Sequence, residues 1–297
     1  MCRKVLASLF ATRLFEKGVV LMGVYGVIGY PISHSMSPLM HNREFQAFQM
    51  DDYYTAFSVH PEDLKKAIEG IRALNIRGVN VTIPHKVAVM EFLDDIDEEA
   101  QLIGAVNTII NENGKLIGSN TDGQGYLRSL TSLIQSSLTS KKVLCIGAGG
   151  AARAIVTSLG RHGVGSIDIA NRTKSKAEEL AEHVQLFVPS KALTLQQAED
   201  NLSHYDIVIN TTSVGMSPHV ENLPIQVHNL KQGTFVSDLI YNPLTTRFLK
   251  EAKDYGALID NGVGMFVYQG AIAFQKWTGI EPNIERMKET VLSKLGG

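Results

Sequence analysis

An α/β fold in two domains is predicted by three features of this chain. Its 297 residues exceed the roughly 100–200 that one core usually organises. Short apolar runs alternate with stretches of helical spacing, which is the pattern of a parallel sheet covered by helices. One apolar run ends in a glycine-rich turn that opens directly into a helix.

The elements follow in order. From Gly23, VYGVIGYP reads as a buried strand closed by a Gly/Pro turn. Ser37 is placed to cap a helix with Pro38 at its first position. YYTAFSV at 53–59 is a second strand. Residues 61–74 carry Leu64, Ala67, Ile68 and Ile71 on one helical face. RGVNVTIP at 77–84 is a third strand, with helix following through about Leu93. Strand, helix, strand, helix, strand predicts a parallel layer. Asn113-Gly114 then lies between two apolar stretches, as in a hairpin.

A second α/β unit starts at Lys141. KKVLCIG is a strand, GAGGAARAIVTSLGRHG a turn and helix, SIDIANR a strand, and KSKAEELAEHV a helix. YDIVINTT and TFVSDLIY supply further strands. The stretch from about Gly264 to Leu295 is helical and is expected to return to the first domain.

The turn Gly147-Ala148-Gly149-Gly150-Ala151-Ala152 has the spacing G-x-G-x-x-A, a variant of the dinucleotide fingerprint. The first glycine permits the tight turn, the second lets backbone approach a pyrophosphate, and Ala152 lets helix and strand lie close. Helix N-terminal amides then face the phosphates. A tight strand-to-helix turn alone would explain less, because strand, turn, helix and second strand are all present. The second strand ends in Asn171-Arg172-Thr173, without the carboxylate that holds a ribose 2′-hydroxyl in NAD enzymes. Arg172 can instead pair with a 2′-phosphate, helped by Thr173 and Lys174, so the preferred cofactor is NADP. Asp168 lies too early in the strand for the ribose role, and Arg153 is a second candidate phosphate contact.

Composition narrows the classes. A formal net charge of -2 supplies no global field toward nucleic acid or an acidic membrane. No run approaches the roughly 20 apolar residues of a membrane helix. The two cysteines, Cys2 and Cys145, make no disulfide framework or metal spacing, which suits a cytoplasmic protein, and Cys145 reads as core. Residues 1–22 read as an N-terminal extension in which Arg13, Glu16 and Lys17 interrupt any signal-like patch, with Met22 an alternative start.

Chemistry concentrates in two places. GYPISHSMSPLMHN sets Ser33, Ser35 and Ser37 in alternation, suited to donating to a carboxylate. His34 and His41 there have no acidic or cysteine partners nearby, so no metal is expected. NVTIPHK ends the third strand with Lys86 at the carboxyl edge, where α/β sheets bind ligands. Asp122 next to Lys86 would make a pair suited to proton transfer. His85 is a rival base with an ordinary pKa nearer neutrality, and spacing leaves the choice open.

The joint occurrence of SHSMSPLMHN, NVTIPHK, GAVNT, GSNTDG, GAGGAARA, NRT, NTTSVGM, DLIYNP and FVYQGAIAFQKWTG resembles the shikimate dehydrogenase family, from about Val24 to the final helix. The resemblance implies an NADPH-dependent enzyme interconverting 3-dehydroshikimate and shikimate, acting as a monomer or homodimer. It implies a substrate-binding α/β domain with a mainly parallel sheet, over 23–122 plus 262–297. A Rossmann-type NADP-binding domain would span 123–261, with the active site in the cleft between the two. Lys86 would be the acid/base group paired with Asp122. Ser35 and Ser37 would hold the substrate carboxylate, with Tyr241 nearby, and Thr82, Asn107, Asp122 and Gln269 the ring hydroxyls. Gly147, Gly149, Gly150 and Ala151 would line the pyrophosphate, and Asn171, Arg172 and Thr173 the adenosine phosphate. Thr211, Ser213, Met216, Gly262 and Met265 would lie near the nicotinamide half.

Overall fold

Two six-stranded sheets organise the molecule. The structure, a computed structural model, describes residues 22–134 and 136–296. The extension expected over 1–22 therefore lies, apart from Met22, outside the described residues.

The first sheet contains β1 (Val24–Gly29), β2 (Tyr53–Ser58), β3 (Gly78–Val81), β4 (Asp95–Ile96), β5 (Thr108–Glu112) and β6 (Lys115–Ser119). Their order is β2-β1-β3-β5-β6-β4. β1 runs parallel to both β2 and β3, and β4 parallel to β6, while β5 is antiparallel to β3 and β6. The β5–β6 hairpin turns at Asn113 and Gly114, both at positive φ (55° and 94°), the geometry for which Asn-Gly is favoured. Apolar residues of β1 and β3 feed both faces: Ile28, Val79 and Val81 join one core, Tyr25 and Val27 the other.

Helices α1 (Ser37–Ala47), α2 (Leu64–Ala73) and α3 (Glu98–Ile103) accompany this sheet. Two expectations shift here. The α1 cap position is Met36, not Ser37, and no side chain caps the helix; Pro38 still sits in its first turn, where a missing N–H costs nothing. The helix expected up to Leu93 is only a tight 3-10 turn, Ala88–Phe92, because Leu93 turns extended (ψ 152°) to enter β4.

The second sheet holds β7 (Lys142–Ile146), β8 (Ser166–Ala170), β9 (Ala192–Leu193), β10 (Ile207–Asn210), β11 (Phe235–Asp238) and β12 (Leu258–Asp260). All its pairs are parallel, in the order β12-β11-β10-β7-β8-β9. That is the doubly wound dinucleotide order, with its switch point between β7 and β10. Its strands are buried on both faces, against separate cores. Helices α4 (Asp122–Leu133), α5 (Gly150–His162), α6 (Lys174–Val184), α7 (Leu195–Asp200) and α8 (Arg247–Asp254) follow in chain order.

The chain ends in α9 (Val263–Thr278) and α10 (Ile284–Leu295), which return to the first sheet. The Trp277 indole donates to the Ile109 carbonyl of β5 at 3.0 Å. Arg286 of α10 forks onto the fully buried Glu44 of α1, with both N···O distances 2.7 Å. Among the described residues, no helix is long and apolar enough to cross a membrane.

Candidate active site

The carboxyl ends of the parallel strands supply the site. Past β3, Thr82 still donates its amide to Ile28, and the chain then turns, with the His85 amide bonded to the Thr82 carbonyl. This turn sends His85 and Lys86 in different directions. The His85 ring is buried and its Nε2 lies 2.8 Å from the Val59 carbonyl. The His85 imidazole is thereby committed to backbone, while Lys86 turns to a carboxylate. Lys86 Nζ meets Asp122 Oδ2 at 2.5 Å, with side chains 14% and 5% exposed. That near-complete removal from water strengthens the pair's mutual attraction.

Asp122 opens α4 and is held from two sides. Its amide bonds the Asn120 side chain at 3.0 Å, and its second oxygen accepts from Asn107 Nδ2 at 2.8 Å. The Asn107 amide cannot turn over, because its oxygen accepts from the Thr121 amide and the Thr108 hydroxyl, each at 2.8 Å. Asn80, buried in the middle of β3, donates to Thr108 Oγ1 (3.2 Å) and accepts from the Tyr54 hydroxyl (2.7 Å). Gln269 of α9 reaches the same cluster, its Oε1 lying 3.5 Å from Asn107 Nδ2. Asn80 and Thr108 were not given a role from sequence. A polar residue inside the buried run GVNV was the available signal, since such a group must find partners.

The serine loop lies on α1's approach. Ser35 Oγ accepts the Ser37 amide at 3.3 Å, and Ser37 is buried against the Tyr54 hydroxyl. The Tyr241 hydroxyl lies beside the Met36 amide, between those two serines. Burial raises the Tyr241 phenol's pKa. His41, stacked on Tyr54 at 4.5 Å, is wholly buried, and desolvation lowers its pKa to about 3. It is a neutral ring within the core.

The nucleotide turn faces this cluster. Gly147 has φ +113°, and its amide bonds the Ala170 carbonyl at the end of β8. A Cβ at Gly149 would meet nothing within 4 Å, leaving backbone open for a phosphate, whereas one at Gly150 would press on Lys86 Cβ at 3.2 Å. The head of α5 thus touches the stem of the lysine. Asn171, Arg172 and Thr173 cluster at the end of β8, with Arg172 and Thr173 exposed and Asn171 Nδ2 bonded to the Thr173 carbonyl (2.9 Å). Asp168 is occupied by the Tyr205 hydroxyl (2.8 Å) and the Lys191 amide (3.0 Å), clear of any ribose role. Arg153, the second candidate phosphate contact, pairs with Glu179. Cys145 is buried beneath the turn, its thiol pKa pushed up to about 12 by desolvation.

Thr211 follows β10 and donates to the Ile146 carbonyl at 2.7 Å. Ser213 and Met216 are exposed on the same loop. Gly262 and Met265 are buried at the start of α9, Gly262 so close to the Leu239 carbonyl that no Cβ would fit. Open backbone at Gly149, a free helix head and an exposed Arg172 with no carboxylate at the strand end fit an NADP-type dinucleotide.

Comparison with known proteins follows the same division. The shikimate dehydrogenase substrate-binding domain matches residues 27–109, shikimate/quinate 5-dehydrogenase 129–239, and the shikimate 5′-dehydrogenase C-terminal domain 262–292. A shikimate dehydrogenase (NADP(+)) of Bacillus cereus is 56% identical over 274 residues, 92% of this chain and 99% of that protein. A crystal structure of a shikimate dehydrogenase in complex with NADP+ is similar at TM-score 0.86 and 46% identity, covering 92% of this chain and 96% of the other. The Thermus thermophilus enzyme in complex with NADP(H) and shikimate gives 0.83 at 34% identity, covering 92% and 99%.

Proposed function

The chain belongs to the shikimate dehydrogenase family, and we propose that Lys86 and Asp122 are its catalytic pair. The reaction is the reversible NADPH-dependent reduction of 3-dehydroshikimate to shikimate, on the route to chorismate and the aromatic amino acids. NADPH, when bound, supplies a hydride to the ring carbonyl, whose oxygen then carries negative charge. The Lys86 ammonium stabilises that oxygen and gives it a proton. In oxidation the same amine accepts the proton of the alcohol. Asp122 orients both the amine and a ring hydroxyl, because Asn107 holds its other oxygen.

The remaining assignments follow the same reading. Ser35, Ser37 and Tyr241 hold the substrate carboxylate, and Thr82, Asn107 and Gln269 the ring hydroxyls. Gly147, Gly149, Gly150 and Ala151 hold the pyrophosphate, and Asn171, Arg172 and Thr173 the 2′-phosphate end. Thr211, Ser213, Met216, Gly262 and Met265 border the nicotinamide half. Residues 23–122 with 262–297 form the substrate domain and 123–261 the NADP domain. The protein acts in the cytoplasm as a monomer or homodimer, a placement its sparse cysteines suit.

One observation carries this reading: a buried 2.5 Å amine–carboxylate pair whose lysine stem touches the glycine turn of the nucleotide unit. Assaying shikimate and quinate, each with NADP and with NAD, tests it. Reduced nicotinamide should form fastest with shikimate and NADP. Comparable turnover of quinate with NAD would overturn the substrate and cofactor assignment.

A further inference from the structure

The loop after β10 carries Thr211, Ser213 and Met216, yet it has little apolar burial to hold it: Val214 is 36% exposed and Met216 46%. Its two ends are pinned at Thr211 and Ser217, and between them one buried amide holds the turn. Asn210, fully buried at the end of β10, accepts from the Thr212 amide (3.1 Å) and the Thr212 hydroxyl (2.7 Å). Its Nδ2 donates to the Val214 carbonyl (3.4 Å) and to Asp238 Oδ1 (3.0 Å). The Thr212 hydroxyl in turn accepts the Val214 amide at 3.1 Å, closing the turn on itself.

Asp238 fixes which way that amide faces. It is fully buried at the end of β11, and among the described residues its carboxylate is met by three donors: Asn210 Nδ2, the Ile240 amide (3.1 Å) and the Thr246 hydroxyl (2.7 Å). A carboxylate surrounded by donors accepts only the NH2 side of Asn210, so the oxygen side must face the loop. The same carboxylate anchors Ile240, next to Tyr241, and Thr246, which caps α8. One charge therefore joins the nicotinamide-side loop to the segment bearing Tyr241.

From this we infer that Asn210 and Asp238 are positioning residues that pre-set the 211–216 loop for the nicotinamide half of the dinucleotide. The inference rests on the reading that this loop borders the nucleotide. Fixing an exposed loop before binding removes an ordering cost from association, so its loss should appear in nucleotide affinity.

The test is NADPH affinity, followed by nicotinamide fluorescence without substrate, with kcat and both KM values beside it. Asp238→Ala removes the nearer of the two acceptors of Asn210 Nδ2 and the acceptor of the Ile240 N–H, and should weaken NADPH binding about tenfold. The KM for shikimate should rise by less, since Asp238 reaches Tyr241 only through Ile240. Asp238→Asn keeps an oxygen for both N–H groups while Thr246 turns to accept, so it should bind within about threefold of wild type. Should Asp238→Ala not fold, Thr212→Ala removes one hydroxyl at the surface end of the clamp and should weaken NADPH about threefold or more, with Thr212→Ser restoring it. Wild-type affinity in Asp238→Ala or Thr212→Ala, or equal losses in Asp238→Ala and Asp238→Asn, would overturn the role. Failure of the underlying reading shows separately, as a wild-type protein that binds no NADPH.

Discussion

A lysine whose amine already meets a carboxylate at 2.5 Å is aimed before substrate arrives, so removing it should cost rate more than binding. Lys86→Ala is expected to lower kcat by roughly 10²–10⁴ with little change in the KM for shikimate. Steady-state kinetics check this, and near-normal turnover would remove Lys86 from the chemistry. At the other end of the site, Arg172→Ala should raise the KM for NADPH far more than that for NADH, since only the former has a phosphate to lose. An equal effect on both would contradict the assignment. At this scale sequence reading can name single candidates where chemistry demands a type, as with Lys86 and the glycines. It could not separate Lys86 from His85, because their difference is one of direction after a turn. It also misplaced the start of α1 by one residue, with Met36 rather than Ser37 at the cap.

Helix α4 shows why some elements were hidden. Its first turn, DGQG, reads as loop because glycine is a poor helix former. The structure gives the reason for those glycines. A Cβ at Gly123 would lie 2.5 Å from the Ala154 carbonyl of α5, and one at Gly125 2.7 Å from the Gln269 amide of α9. The helix is wedged between two others and can approach both only without side chains. Gly125→Val should therefore displace α9 and Gln269. Overpacking of this kind costs about 1–3 kcal/mol, visible as a lower Tm. The shikimate KM should rise while NADPH affinity holds, and unchanged Tm and KM would dismiss the wedge. Buried strands such as β7 and β10 were legible because β-branched runs bounded by turns are distinctive. The two- and three-residue strands β4, β9 and β12 were not, since they owe their form to neighbours rather than to local pattern.

Stability of the whole molecule carries a pH signature. Burial raises the pKa of Asp260 to about 6, ahead of the opposing hydrogen bond from Ser237, and Asp238 is likewise raised to about 6. A carboxyl that keeps its proton longer when folded destabilises the fold once ionised. Its contribution is most favourable below the ordinary carboxylate range and is lost as pH rises toward about 6. Asp260→Asn should thus stabilise more at pH ~7.5 than at pH ~5, by roughly 1–2 kcal/mol in denaturant unfolding. Equal effects at both pH values would discard the link. Contacts such as Glu44–Arg286, 242 residues apart, were beyond sequence reading because no local pattern encodes a partner that distant.

The return of α9 and α10 to the first sheet has a mechanical corollary. The backbone passes from one sheet to the other at α4 and comes back after β12, so two crossings join the lobes. A single tether would allow swivelling in any direction. Two attachment points constrain the lobes more than one would, and both lie beside the face where Lys86 meets the glycine turn.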